Sequence, residues 1–243
     1  MCRRCQAEHA VGPGTSRRRF LGLASGVAAS LALPLPALAK ATAIKPQSAG
    51  SPAGALERLM KGNVRYVQGI SRRHDFMRER EVPAGRLNPY AGILSCADSR
   101  VAPEYAFDSG RGDLFVCRVA GNFANDDTVA SLEYAVAIFN TPLIVVLGHE
   151  SCGTVRATIE SLKGNSTLPG HLPTLVSNIA PAVKASLDQR GDKLQNAIRR
   201  NVIDNAEKLK SATPIISSAL EQGKLKIVGG VYHMKDGRVE FID

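Results

Sequence analysis

Tryptophan is absent from this chain of 243 residues, tyrosine occurs five times, and aromatic residues amount to only 5%. Readers of single-stranded nucleic acid need aromatic platforms beside basic tracts. The chain also lacks an Arg-Gly run or a Lys-rich block, so its formal charge of +9 does not indicate a nucleic-acid partner. Part of that charge is concentrated at one end, where residues 1–39 carry five Arg against one Glu. No apolar run reaches the ~18 to 20 residues that a membrane-crossing helix needs. Five cysteines are too few for a disulfide miniprotein, and 44% hydrophobic with 22% charged residues excludes a disordered tail or a collagen-like rod. What remains is enough apolar material for one core of ordinary size.

The N-terminal charge has a local explanation. Ser16-Arg17-Arg18-Arg19-Phe20-Leu21 precedes an uncharged stretch, Gly22 to Leu33, rich in Ala, Gly and Ser, and then Ala37-Leu38-Ala39. A basic flank, a short apolar stretch and a small-x-small end make an export signal, and the paired arginines before Phe-Leu resemble the twin-arginine type, whose passengers cross the membrane folded. The expected organisation is a signal peptide over 1–39, a linker over 40–54 and one domain over 55–243. A periplasmic or otherwise exported product follows, touching membrane only during export. Cys2 and Cys5 form an isolated Cys-x-x-Cys in the segment to be removed, which is a weak metal or redox signal. The mature part keeps Cys96, Cys117 and Cys152, an odd number that describes no disulfide framework. Loading a metal before export would protect such thiolates from oxidation.

Along the mature chain, Leu56, Leu59, Met60, Val64 and Val67 fall on one stripe of a packing helix. Arg72, Arg73, His74, Arg78 and Arg80 form a basic stretch ending near Pro83, expected to be a solvated face. Four short apolar runs then read as strands: Tyr90 to Ser95, Leu114 to Arg118, Leu143 to Leu147 and Leu225 to Val231. Helical patterns fill Thr128 to Phe139, with Asp127 as its cap, then Gly153 to Leu162, Thr174 to Gln189, Lys193 to Lys210 and Ile215 to Gln222. A turn at Lys235 to Arg238 leads into Val239 to Ile242. The expected fold is α/β, with a mainly parallel central sheet flanked by helices and a C-terminal antiparallel edge strand. There is no repeat and no second domain.

In open α/β sheets, ligands gather beyond the carboxyl ends of strands. Cys96-Ala97-Asp98-Ser99-Arg100 leaves the first strand there, and Gly148-His149-Glu150-Ser151-Cys152-Gly153 leaves the third. Two thiolates and an imidazole, Cys96, His149 and Cys152, suit Zn²⁺, with a fourth place for water or, in a closed form, for the Asp98 carboxylate. Cys117 lies inside a strand and reads as a buried hydrophobe.

Several separate stretches carry a resemblance. They are Leu94 to Val101, Gly112 to Phe115 with Arg118 to Asn122, Ser131 to Val136, Val145 to Gly153, and Val228 to Tyr232. In this order they resemble the β-class carbonic anhydrases, over about Leu56 to Asp243. The resemblance implies that Cys96, His149 and Cys152 bind one zinc ion per chain and that Asp98 and Arg100 form a dyad. Phe115, Ala120 and Tyr134 would line or border the substrate cleft, and the protein would be a homodimer or a higher homo-oligomer with its active sites at the subunit interface. The implied reaction is reversible hydration of CO₂ to bicarbonate and a proton, by attack of zinc-bound hydroxide oriented by Asp98. Arg100 would restrain that carboxylate, and Leu114, Phe115 and Tyr134 would supply apolar walls. Ser151 and Gly153 sit at a helix start, where free amides favour an anion, though capping and close packing are the simpler role. Carbonic anhydrases with three neutral His ligands bring their metal's water to a pKa of ~7. Two thiolates cancel the metal's charge, so hydration here should rise toward alkaline pH.

Departures from the family pattern narrow the expectation. Ile93 stands where a regulated subgroup has Trp, which argues against its inhibitory bicarbonate pocket. Leu87 replaces a substrate-binding Gln, with Asn88 as the adjacent candidate. Glu150 puts a carboxylate beside the site, either a proton shuttle or a solvated loop charge. Two alternatives keep the ligands: a hydrolase of CS₂ or COS on the same scaffold, and a non-catalytic zinc-stabilised binding module.

Overall fold

Five short apolar segments pair into one sheet in the computed structural model, which describes residues 50–79, 87–164 and 168–242. The strands β1 (Ala91–Ser95), β2 (Leu114–Arg118), β3 (Leu143–His149) and β4 (Lys226–Tyr232) are parallel, and β5 (Val239–Ile242) runs antiparallel to β4. Their spatial order is β2-β1-β3-β4-β5. This is the expected α/β fold, with strand boundaries shifted by one or two residues. The export signal over 1–39, Cys2 and Cys5, residues 40–49 of the linker, Arg80 and Pro83 all lie outside the described residues.

Side-chain alternation splits the core in two. Ile93, Val145, Leu147 and Val228 face one way and pack with Leu59 and Phe107, from α1 (Pro52–Val67) and the end of α3 (Pro103–Ala106). Leu94, Ile144, Val146 and Ile227 face the other way. There they meet α4 (Asp126–Phe139), α5 (Gly153–Leu162), α6 (Leu172–Ser186), α7 (Lys193–Lys210) and α8 (Ile215–Glu221). Strands covered on both faces read as continuous apolar runs, and every residue of β1 and β3 is buried. The chain leaves β1 for β2 on one side and returns to β3 on the other. The resulting switch point opens a crevice at the carboxyl ends of β1 and β3.

Three local expectations need correction. Helix α1 starts at Pro52, inside the expected linker, with Ser51 accepting the Gly54 N–H. Its buried face is Ala55, Leu59, Gly62 and Asn63, while Met60, Val64 and Val67 are exposed. The reason is a close approach that hydrophobicity does not register. A Cβ at Gly62 would lie 1.9 Å from the Phe107 carbonyl oxygen. Beside it, Asn63 donates to the Ala106 and Gly237 carbonyls and accepts the Val239 N–H. Helix α4 is capped by Asn125 rather than Asp127, because Asn125 and Thr128 exchange bonds in a capping box. The basic stretch is not simply solvated: a helical turn, α2 (Phe76–Glu79), follows residues that reach back to buried Asp108. Its side chain accepts the Arg72 N–H and pairs with Arg65, and His74 pairs with Glu79.

Candidate active site

Parallel pairing sets the site. Ser95 lies level with Leu147, so the residues that follow, Cys96 on one strand and Gly148–His149 on the other, emerge side by side. Gly148 permits this, since a Cβ there would meet Val202 of α7 at 2.5 Å. Cys152 then closes the loop as the N-cap residue of α5. Cys96, His149 and Cys152 are all buried, and their ligand atoms lie within 4.8 Å of one another.

This donor set fits a metal ion. His149 Nδ1 is hydrogen-bonded to the Glu150 carbonyl at 2.9 Å, which places the ring proton there. Nε2 keeps its lone pair, is buried, and has no hydrogen-bond partner among the described residues. The Cys152 thiol beside the Cys96 sulfur draws the Cys96 thiol down from its ordinary value against the effect of burial, with the Gly121 N–H assisting. The same contact and burial push Cys152 up, although the Val155 and Thr154 amides at the head of α5 pull the other way. Two buried sulfurs beside an imidazole lone pair form a donor set that a divalent cation could satisfy. The fold thus offers a Cys-His-Cys metal site.

Asp98 stands at the rim, with Oδ2 3.9 Å from His149 Nε2. Both of its oxygens are committed to Arg100: Oδ1 accepts from the backbone N–H and Nε, each at 2.9 Å, and Oδ2 from Nη2 at 2.7 Å. The guanidinium holds the Asp98 carboxyl well below the usual carboxylate range, against the effect of partial burial.

Arg118, at the head of the Arg118–Asn122 stretch, has a role that its sequence context does not reveal. At the end of β2 its Nε donates to the Cys96 carbonyl at 3.1 Å, and Nη2 to those of Asp98 and Val101 at 2.7 and 2.8 Å. One cation therefore shapes the whole 96–101 loop. The only signal available was a basic residue ending a strand. Equally hidden was the amide ladder of α7. Asn201 donates to the Gly121 carbonyl, Asn205 accepts the Ala124 N–H, and Gly121 N–H reaches Cys96 Sγ at 3.3 Å. Buried asparagines on a helix look like surface residues in a sequence.

The expected substrate-side residues divide. Ala120 lies between Val119, which exchanges backbone bonds with Ser95 and Ala97, and Gly121, whose N–H reaches Cys96 Sγ. Gly153 opens α5, and a Cβ there would meet nothing within 4 Å, so close packing is not its reason. Cys152, not Ser151, occupies the N-cap position. Phe115 pairs with Gly92, four residues before Cys96, or about 13 Å along a strand. Its ring packs at a tilt against Tyr134 and Phe139 at the β2 edge, and Tyr134 is 52% exposed. Leu114 packs against the opposite core. These apolar residues are not gathered around Cys96 within one chain. Cys117 is half-buried, with its thiol pushed up by burial, and stays outside the donor set. Leu87 is exposed. Glu150 is not a solvated charge; its carboxylate is bonded to His233 and to the Met234 N–H.

Comparison with known proteins agrees with this geometry. A family model described as carbonic anhydrase matches residues 91–239. The carbonic anhydrase of Mycolicibacterium smegmatis is 35% identical over 198 residues, covering 78% of this chain and 93% of that protein. Carbonic anhydrase 2 of Mycobacterium tuberculosis is 36% identical over 194 residues, covering 79% and 94%. Among solved structures, the β-carbonic anhydrase CcaA superposes with a TM-score of 0.61 at 27% identity, covering 77% of this chain and 87% of that one. A structure described among two tetrameric β-carbonic anhydrases from Sordaria macrospora gives 0.58 at 26% identity, covering 70% and 86%. With the fold, the buried Cys-His-Cys site and these relatives in agreement, the chain belongs to the β-class carbonic anhydrases and has carbonic anhydrase activity.

Proposed function

We propose that Cys96, His149 and Cys152 hold zinc and that Asp98 and Arg100 act as a dyad in the reversible hydration of CO₂ to bicarbonate and a proton. The observation that carries this reading is the Asp98 carboxylate, fixed at both oxygens by Arg100 and set 3.9 Å from the lone-pair nitrogen of the buried donor group. Bound zinc would supply the Lewis acidity that makes water nucleophilic, less strongly than with three neutral ligands because two thiolates cancel its charge. Asp98 accepts the hydrogen bond of the attacking water and aims its lone pair at the carbon of CO₂. Arg100 prevents the carboxylate from swinging onto the donor group, since such a swing would break a charge-assisted, forked pair. The α5 amides and the open space beside Gly153 favour the anionic product.

Phe115 and Tyr134 are assigned to an interface. They form an apolar cluster with Phe139 at the exposed β2 edge, with Ile138 57% exposed beside them. A second copy packing there would bring these side chains to the neighbouring site and cover the patch. The arginine pair and apolar stretch over residues 16–39 would export the folded product.

Stopped-flow CO₂ hydration on the zinc-loaded mature protein tests the central reading. Turnover that disappears in Cys96→Ser is expected, and CS₂ turnover exceeding that of CO₂ would redirect the substrate assignment. Light scattering of the same sample should give a mass of at least two chains.

A further inference from the structure

Glu150 lies between two of the metal-site residues, yet its side chain turns toward the loop that follows β4. Oε1 accepts from His233 Nδ1 at 2.9 Å, Oε2 accepts the Met234 N–H at 2.9 Å, and the Glu150 N–H donates to the Tyr232 carbonyl at 3.0 Å. One residue is thus tied at three points to a segment more than 80 positions away in sequence. His233 is anchored in turn. Its backbone exchanges bonds with Arg238 and Gly237 across the turn before β5. Its Nε2 lies 3.4 Å from Glu240, whose other oxygen accepts from Arg199 on α7 at 2.8 Å.

The fourth polar group of Glu150 is its carbonyl, which holds His149 Nδ1. The next residue, Ser151, has φ +55°, a left-handed conformation that a serine adopts only when its surroundings impose it. The peptide that accepts the imidazole N–H therefore leads into a strained turn. The clamp on the Glu150 side chain keeps that peptide from rotating.

We infer that Glu150 and His233 are positioning residues for His149: their hydrogen bond fixes the Glu150 carbonyl, which holds the imidazole with Nε2 turned toward Cys96 and Cys152. Partners that orient a ligand's second nitrogen set both its tautomer and its basicity, and losing them weakens metal binding by ~10- to 100-fold. Here the acceptor is a backbone carbonyl that mutation cannot delete, so the side-chain clamp is where the sequence controls it. The inference rests on the reading of Cys96, His149 and Cys152 as zinc ligands.

The test is zinc release from the full chain into excess colorimetric chelator, with the absorption bands of the cobalt-loaded protein recorded in parallel. The proteins compared are the parent, Glu150→Ala, Glu150→Gln, His233→Ala and the double alanine variant. Release about 10-fold faster in each single alanine variant is expected, with the double variant no faster than either, since the pair acts as a unit. Glu150→Gln keeps one acceptor and should fall between. Shifted cobalt bands should accompany faster release, which a merely structural defect that lowers Tm would not produce. Should Glu150→Ala fail to fold, Glu150→Gln and His233→Gln carry the same comparison. Release at the parent's rate in the variants, or losses that add in the double variant, would overturn the inference while leaving the zinc site intact. A parent that binds no stoichiometric zinc would overturn the site reading and this inference with it.

Discussion

The two strand ends that build the site are held by opposite charges. After β1, the cation of Arg118 collects three backbone carbonyls and bends the 96–101 loop around itself. After β3, the anion of Glu150 is gripped by an imidazole and an amide, and the amides of α5 meet Cys152. The difference follows what each end must do. The first loop presents one donor and the Asp98–Arg100 pair, so its shape matters most. The second presents two donors three positions apart, His149 and Cys152, so the orientation of each matters most.

Removing a donor from either end should erase the contrast. Cys96→Ser and Cys152→Ser are both expected to lose stoichiometric zinc and to fall to near-background hydration, measured by elemental analysis and stopped flow, because neither end alone makes a site. Asp98→Ala breaks the first end only in its chemistry: zinc content stays at parent level while kcat falls roughly 10²- to 10⁴-fold. An Asp98→Ala protein as fast as the parent would show that the first loop serves only to hold metal.

Smaller effects separate the two supports. Arg118→Ala leaves three carbonyls without their shared donor and should cost about 1–3 kcal/mol of stability. Gly148→Ala drives a methyl into Val202 and Ile198 and should cost about the same by overpacking. Denaturant melts measure both. The two should differ in kinetics, with Arg118→Ala lowering kcat at equal zinc content and Gly148→Ala lowering zinc affinity.

The smallest effect is on pH dependence. Arg100 lowers the Asp98 carboxyl, so the pair's contribution to stability is complete above the ordinary carboxylate pKa of about 4 and is lost only as pH falls through the still lower folded value. No inflection in hydration rate between pH 5 and 8 should therefore belong to Asp98. In Arg100→Ala the carboxyl moves back up, and an acid limb should move up with it.

Much of this was legible in the residues. Strand runs such as Leu143–Leu147 are continuous and apolar because both faces are buried, and their ends fall on Gly, Pro or Asp, so the sheet and the two Cys-bearing exits could be placed. Helix α1 was misread because its buried face contains Gly62 and Asn63, chosen for backbone approach and hydrogen bonding rather than hydropathy. Arg118, His233 and Asn201 are not visible as supports in the sequence because a hydrogen bond between positions 17 to 83 apart leaves no periodic trace.

Donor identity was settled by composition at the strand exits: two sulfurs and one imidazole, separated by spacings that only a metal or chance would explain. Which imidazole nitrogen faces those sulfurs, which loop is braced by a cation and which by an anion, and where the aromatic cluster sits were decided in three dimensions. Local chemistry travels with the residue, whereas orientation depends on partners that the chain supplies only after it has folded.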